Sequence, residues 1–358
     1  DFGRFSPWLK NILELKNKVA DLIGYEGSKY NVFLEEFEPN TRVEDIQPIL
    51  SELRERLKPL VEKILAIETP KPELLTAAFP VTGQEAFGRE VLADLGFNSE
   101  AGRLDVSVHP FCSSLAPTDV RLTTRYSANQ MSESLFGIIH ECGHGLYEQG
   151  LPAEAVGTPL CQAVSLGIHE SQSRLWENMI GRSCEFWEYY LPKLKNYFPE
   201  QLHGVELEYF YSAINHVEAS PIRVEADEVT YNLHILLRFE LEQRLVEGSL
   251  DVDQLPEYWN ETMEEYLGIH PGNHALGVLQ DIHWSSGLIG YFPTYTLGNL
   301  YAAQLFNCAR ETIPGLMGKI RNGEFGILLT WLRENIHGRG RRLCATELIE
   351  EVTGSPLS

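Results

Sequence analysis

The stretch Ser134-Leu135-Phe136-Gly137-Ile138-Ile139-His140-Glu141-Cys142-Gly143-His144-Gly145-Leu146-Tyr147-Glu148 decides how the rest of this chain is read. It is apolar at helical spacing and carries the pattern His-Glu-x-x-His. In an α-helix, positions i and i+4 stand one above the other on the same face. The imidazoles of His140 and His144 can therefore reach one ion, with nitrogen about 2.0–2.1 Å from it. Glu141 follows His140 directly and can address a water beside that ion. Glycine costs about 1 kcal/mol in a helix interior. Gly137, Gly143 and Gly145 therefore need a reason, and close approach of substrate or of a packed neighbouring helix supplies one. Cys142 falls off the ligand face and is not a catalytic candidate. A histidine-bearing amphipathic helix without metal is the bland alternative. The rarity of the pattern in a chain with 11 histidines weighs against it.

A catalytic zinc site takes three protein ligands and keeps one position open. The third ligand has to come from elsewhere, and Glu170 in Gly167-Ile168-His169-Glu170-Ser171-Gln172-Ser173 is the best candidate. It lies on a second helical segment that returns after the connection at 150–159. Spacing alone supports a surface carboxylate at Glu170 equally well, and His169 competes for the same role. The pattern points to peptide-bond hydrolysis by zinc-activated water. Glu141 acts as general base and delivers the proton to the leaving amine. The developing oxyanion needs a further donor, a Tyr, His or Arg.

Composition is compatible with that reading and excludes others. Hydrophobic residues make up 43% and charged residues 22% of the 358, enough apolar material for one large domain or two intimately packed ones. With 29 basic against 51 acidic residues the formal net charge is -22, which repels nucleic acid and anionic membrane surfaces and favours solubility. The six cysteines are scattered without a C-x-x-C pair, which reads as reduced, intracellular usage and predicts a cytoplasmic location. No apolar run is long enough to span a membrane, and no basic-then-apolar leader opens the chain.

The periodicity predicts a mainly α-helical chain. Helices are expected over 9–22, 43–67, 83–95, 131–149, 156–179, 184–196, 205–217, 226–246, 256–267, 300–320 and 325–336. Strand character is confined to Leu104–Val108 and Asp119–Tyr126, which are expected to pair as an antiparallel hairpin just before the helix at Met131. Proline and glycine are dispersed, so no domain boundary is drawn within 1–358. Three further clusters stand out. Gln280-Asp281-Ile282-His283-Trp284 followed by Gly287–Tyr295 is aromatic, glycine-rich and polar, which suits a pocket wall as well as a packed loop. Arg223 is a possible carboxylate fork, although a surface ion pair explains a lone arginine among many acids better. His109, before Pro110, sits in extended backbone, where an ordinary loop histidine is the simpler reading.

Taken together, these segments resemble the carboxypeptidase Taq family of zinc metallocarboxypeptidases. The resemblance rests on His109-Pro110-Phe111, Asp119–Tyr126, His140–His144, His169-Glu170-Ser171, Ile222–Asp227, Gly277–Trp284 and Gly290–Tyr295, in order along the whole chain. It implies a large helical domain with a deep groove and a small antiparallel sheet beside the His-Glu-x-x-His helix. It implies release of single residues from peptides with a free C-terminus, and a homodimer. It makes Glu170 the third ligand of a zinc ion, with cobalt as the alternative ion. It assigns Arg223 to the substrate's terminal carboxylate. His109, Tyr295 and Asp281 become further substrate-binding positions. His283 and Tyr291 become stabilisers of the oxyanion, with Tyr295 as the other possible tyrosine. The strand at Asp119–Tyr126 is expected to take substrate backbone as an added edge strand. Relatives of this kind carry a further N-terminal helical region, and the chain reads as a single catalytic domain over 1–358 that starts after it. Two competing readings remain at this point: an oligopeptidase cutting internally, for which a carboxylate anchor has no use, and a metal-binding module that holds peptides without turnover.

Overall fold

A computed structural model describes residues 1–67 and 72–358. In chain order the described residues form α1 (Phe2–Ile23), α2 (Asn31–Phe37), α3 (Val43–Leu65), α4 (Val81–Leu95), β1 (Gly102–Val106), β2 (Cys112–Ala116), β3 (Asp119–Thr124), α5 (Met131–Gly150), α6 (Leu166–Arg174), α7 (Cys184–Tyr197), α8 (Leu207–Ile214), α9 (Tyr231–Glu247), α10 (Leu255–Leu267), α11 (Pro293–Thr312), α12 (Leu316–Arg321), α13 (Gly326–Asn335) and α14 (Ala345–Thr353). The chain divides into two compact units, Asp1–Thr69 with Val217–Thr296, and Pro70–His216 with Leu297–Ser358.

The first unit is built on α9, which packs against α3 and α10. Leu233, Ile235, Leu236, Leu237, Phe239, Leu241 and Leu245 bury this helix nearly all round, as expected for a central helix rather than a surface one. Three polar residues at four-residue spacing, His234, Arg238 and Glu242, are buried with them. The second unit is centred on α5, which packs on α4, α6 and the sheet. A Cβ on Gly145 would lie 2.8–2.9 Å from side-chain atoms of Phe97 and Leu122, so this glycine lets β3 lie close against the helix.

The expected small sheet is present beside α5, but its pairing is mixed. The strand order is β1-β3-β2, with β1 parallel to β3 and β2 antiparallel to it. The antiparallel hairpin expected between the first and last strands is therefore wrong. An additional strand, β2, intervenes, and two chain reversals leave β3 running in the direction of β1. Because β3 is central, with both its neighbours in place, it cannot accept substrate as an edge strand along Asp119–Thr124; the edges are β1 and β2.

Most helix expectations hold within a few residues. The one over 156–179 begins only at Leu166, where the Ser165 hydroxyl accepts the Ile168 N–H at 3.0 Å and caps the helix. The one over 300–320 starts earlier, at Pro293, and is broken between Thr312 and Leu316 by Pro314 and by Gly315 at φ +68. Helices α2 and α14 were not expected.

Candidate functional site

Helix α5 carries His140 and His144 half-buried and Glu141 buried. Helix α6 carries Glu170 in its second turn and runs on into a π-helical turn, Leu175–Ile180, that carries Glu177. The two helices meet where Gly143 removes a side chain. A Cβ there would lie 2.5 Å from Ser173 Cα and 2.6 Å from the Gln172 carbonyl oxygen. Gly298 on α11 does the same for Glu170, since a Cβ there would lie 2.6 Å from its Cγ. A Cβ at Gly137 would meet nothing within 4 Å, so packing accounts for two of the three helix glycines and not for this one.

Ligand-capable atoms of His140, His144 and Glu170 all lie within 4.8 Å of one another. Nε2 of His144 is 3.4 Å and Nε2 of His140 is 3.7 Å from Glu170 Oε2. Bonds of about 2.0–2.2 Å in tetrahedral geometry put ligand atoms roughly 3.3–3.5 Å apart, so the donor set fits one divalent ion of this kind. His140 Nδ1 contacts Glu177 Oε2 at 2.8 Å, and His144 Nδ1 contacts His169 Nδ1 at 2.6 Å. His169 Nε2 in turn meets Glu148 Oε1 at 2.8 Å. With each Nδ1 engaged from behind, both Nε2 atoms are left facing Glu170, the usual arrangement behind metal-ligating histidines. His169 thus stands behind His144 and is not in the three-residue group. Arg174 donates to Glu170 Oε1 at 2.7 Å and to Glu177 Oε2 at 3.3 Å.

These contacts set the protonation states. Burial alone would raise Glu170 and Glu177. The Arg174 guanidinium and the neighbouring histidines overcome it, holding Glu170 well below the usual carboxylate range and Glu177 at about 2. Burial, with the neighbouring histidines, brings His144 down to about 3, which keeps it neutral and metal-competent. For His140 burial is outweighed by Glu170 and Glu177, and its pKa rises. Burial, reinforced by the charges of Glu170 and Glu177, pushes Glu141 up to about 7, the range a proton-shuttling carboxylate needs near neutrality. Cys142 is buried and its thiol is pushed up, consistent with a passive role.

The first unit holds a second polar constellation. Asp281 accepts from Arg223 Nε at 2.9 Å and Nη2 at 2.8 Å through one oxygen, and from Arg238 Nε at 2.7 Å through the other. Arg223 also donates to the Tyr231 hydroxyl at 3.1 Å and lies over the Tyr295 ring, 5.0 Å from its centroid. Both arginines are buried. Against burial, the two guanidinium groups hold the Asp281 carboxyl well below its ordinary range. His283 Nε2 lies 3.1 Å from the Tyr295 hydroxyl, and the His283 ring meets Tyr291 edge-on at 5.1 Å and Phe292 at 4.3 Å. The sequence-expected residues Arg223, Asp281, His283, Tyr291 and Tyr295 are therefore gathered in this unit. His109 is exposed on the loop between β1 and β2, with Nδ1 2.7 Å from the Pro110 carbonyl oxygen.

Reading the sequence missed Glu177, Glu148, Gly298, Arg238 and Glu242. None of them left a readable signal: Arg238 and Glu242 stand one turn apart in α9, but that helix also carries Asn232, His234, Glu240, Gln243, Arg244 and Glu247.

Two histidines one helical turn apart and a carboxylate from the following helix, as donors, with a buried glutamate beside the first histidine, form the constellation of a metallopeptidase. Comparison with known proteins narrows that class: residues 1–358 match the family described as carboxypeptidase Taq (M32) metallopeptidase, and the chain belongs to it. It is 46% identical to thermostable carboxypeptidase 1 of Thermus thermophilus, over 99% of this chain and 71% of that protein. It is 41% identical to carboxypeptidase 1 of Bacillus subtilis, over 100% of this chain and 72% of that protein. The crystal structure of the M32 carboxypeptidase from Deinococcus radiodurans R1 superposes with a TM-score of 0.97 at 42% identity, covering 100% of this chain and 72% of the other. The chain is a metallocarboxypeptidase, a peptide hydrolase acting at C-termini with a divalent metal. Internal cleavage and binding without turnover are not favoured. Among the described residues, no helix is long and apolar enough to cross a membrane.

Proposed function

We propose that His140, His144 and Glu170 hold a single zinc ion, with cobalt as the alternative, and that Glu141 is the general base. The observation that carries this is the ligand group itself: three donors within 4.8 Å, each braced from behind, next to a buried carboxyl near neutrality. When bound, an ion there polarises a carbonyl and acidifies a neighbouring water. Glu141 takes the proton from the attacking water and delivers it to the departing amine. His283 and Tyr291 donate to the oxyanion, Tyr295 being the alternative tyrosine; the contact of His283 with Tyr295 and its ring packing with Tyr291 support a shared task.

Arg223 binds the terminal carboxylate of the substrate. Two buried arginines share one aspartate, and that excess positive charge supports an anionic ligand. Asp281 serves substrate binding by orienting the guanidinium. His109, exposed on its loop, contacts the peptide and favours exo- over endopeptidase action. The chain works as one catalytic domain over 1–358. A homodimer belongs to the same reading and is supported by the resemblance alone. A cytoplasmic location is supported by the six free cysteines.

The test is digestion of an unblocked peptide and its C-terminally amidated twin, with and without added zinc or cobalt, read by mass spectrometry. A metal-dependent ladder of single-residue losses from the free terminus alone is expected. Equal cleavage of the amidated twin would remove the Arg223 assignment. Equal activity after chelation and dialysis would remove the metal assignment.

A further inference from the structure

The buried face of α9 carries a carboxylate that no part of the proposed mechanism uses. Glu242 has no accessible surface, yet its oxygens accept three hydrogen bonds from different parts of the unit. Oε2 takes the Tyr30 hydroxyl at 2.5 Å and the Gly290 backbone N–H at 3.1 Å. Oε1 takes the indole N–H of Trp284 at 2.9 Å. Trp284 follows His283 directly and Gly290 precedes Tyr291 directly. One carboxyl therefore grips both ends of the segment between the two candidate oxyanion donors.

The rest of the packing leaves that segment little other freedom. Gly290 adopts φ +89, and a Cβ there would lie 2.6 Å from the Phe33 carbonyl carbon, so the chain passes against the backbone of α2. Tyr30, the residue before α2, ties that helix to the same carboxyl. One turn earlier on the same face of α9, Arg238 holds Asp281. A fully buried acid is costly. Three converging donors are the compensation, and an apolar residue of similar volume would fill the same space without them.

We propose that Glu242 is a positioning residue for the reaction, fixing the segment 284–290 so that His283 and Tyr291 stand in register with each other. This rests on the reading of His283 and Tyr291 as oxyanion donors. The loss of a positioning residue is expected in kcat rather than KM, because the groups it aims act in the transition state.

The test uses the metal-loaded enzyme with Glu242→Gln, His283→Ala and the double variant. Glutamine keeps the volume but cannot accept from all three donors while presenting its own N–H groups. Glu242→Gln is expected to keep its metal and cooperative unfolding and to lower kcat roughly 10–100-fold, with KM within about threefold. The double variant is expected to lose clearly less than the product of the two single losses, because the part of the Glu242 effect that acts through His283 is already gone. Wild-type kcat in Glu242→Gln, or losses that multiply in the double variant, would overturn the proposal. If His283→Ala itself turns over normally, the oxyanion reading fails for His283, and the same cycle with Tyr291→Phe decides for Glu242. Should Glu242→Gln not fold, Trp284→Phe removes one donor and keeps the acid. A loss in kcat of about three- to tenfold, non-additive with His283→Ala, supports the grip, and wild-type kcat there overturns it.

Discussion

The metal cluster of the second unit and the arginine cluster of the first are both buried, charged and hydrogen-bonded, yet they are imbalanced in opposite directions. Around His140, His144 and Glu170 the carboxylates Glu148, Glu170 and Glu177 outnumber the guanidinium groups of Arg174 and Arg182. Around Asp281 two arginines face one carboxylate. Uncompensated buried charge costs several kcal/mol, so each imbalance favours a ligand of opposite sign: on the proposed reading, a metal cation in the first case and the substrate's terminal carboxylate in the second.

The largest effect expected from this comparison is in the metal cluster. Glu141→Gln should leave metal stoichiometry unchanged and lower kcat by about 10²–10⁴-fold, the range for loss of a general base. Metal content by elemental analysis and steady-state kinetics check it. Turnover near wild type with metal bound would show that the proton is handled elsewhere. The arginine cluster should break differently. Arg223→Ala removes one partner of a buried pair while Arg238 still holds Asp281. It should cost about 2–5 kcal/mol of binding to substrates with a free C-terminus, read as KM or kcat/KM. An amidated peptide that is already a poor substrate should change little. If both peptides suffered alike, the two clusters would not be doing separate jobs.

The two clusters were also unequally legible. His140 and His144 are local: helical geometry brings positions i and i+4 together whatever the rest of the chain does, so a pattern of five residues was enough. Glu170 was legible as a carboxylate on a neighbouring helix but not as a ligand. Its placement depends on Gly143 and Gly298 allowing close approach, and those contacts lie outside its own helix. The arginine cluster combines residues from 223 to 295 that no period links. Residue reading alone favoured a surface ion pair for Arg223, and only the family resemblance reversed that. The sheet shows the same limit. Leu104 and Leu122 sit side by side in the register, as their alternation allowed, but the direction of pairing was set by β2. Cys112-Ser113-Ser114-Leu115-Ala116 has no β-branched residue to announce a strand. Helix α14 was hidden for a related reason. Its capping box is built on Cys344 with Glu347, and cysteine is not a residue that marks a helix start.

The smallest effect expected concerns two acids of the first unit whose titrations are pushed in opposite directions. Asp281 is held below its ordinary range by two arginines, so its contribution to stability is present above about pH 4 and is lost as pH falls through the lowered folded value. Glu242 is the reverse. Burial pushes it up to about 7, and the Tyr30, Trp284 and Gly290 donors with Arg238 only partly offset that. The folded chain keeps this proton up to about pH 7, whereas the unfolded chain releases it near 4.5. Unfolding between those values therefore releases a proton. The contribution is fully present below about pH 4.5, declines as pH rises towards 7, and levels off above it. At 1.36 kcal/mol per unit the decline is about 3 kcal/mol. Glutamine at 242 does not titrate, so urea unfolding at pH 5, 6, 7 and 7.5 should show wild-type stability falling relative to Glu242→Gln by up to that amount. Parallel curves would mean that the Tyr30, Trp284 and Gly290 donors with Arg238 offset burial in full, so that Glu242 is ionised in the folded chain over the same range as in the unfolded one.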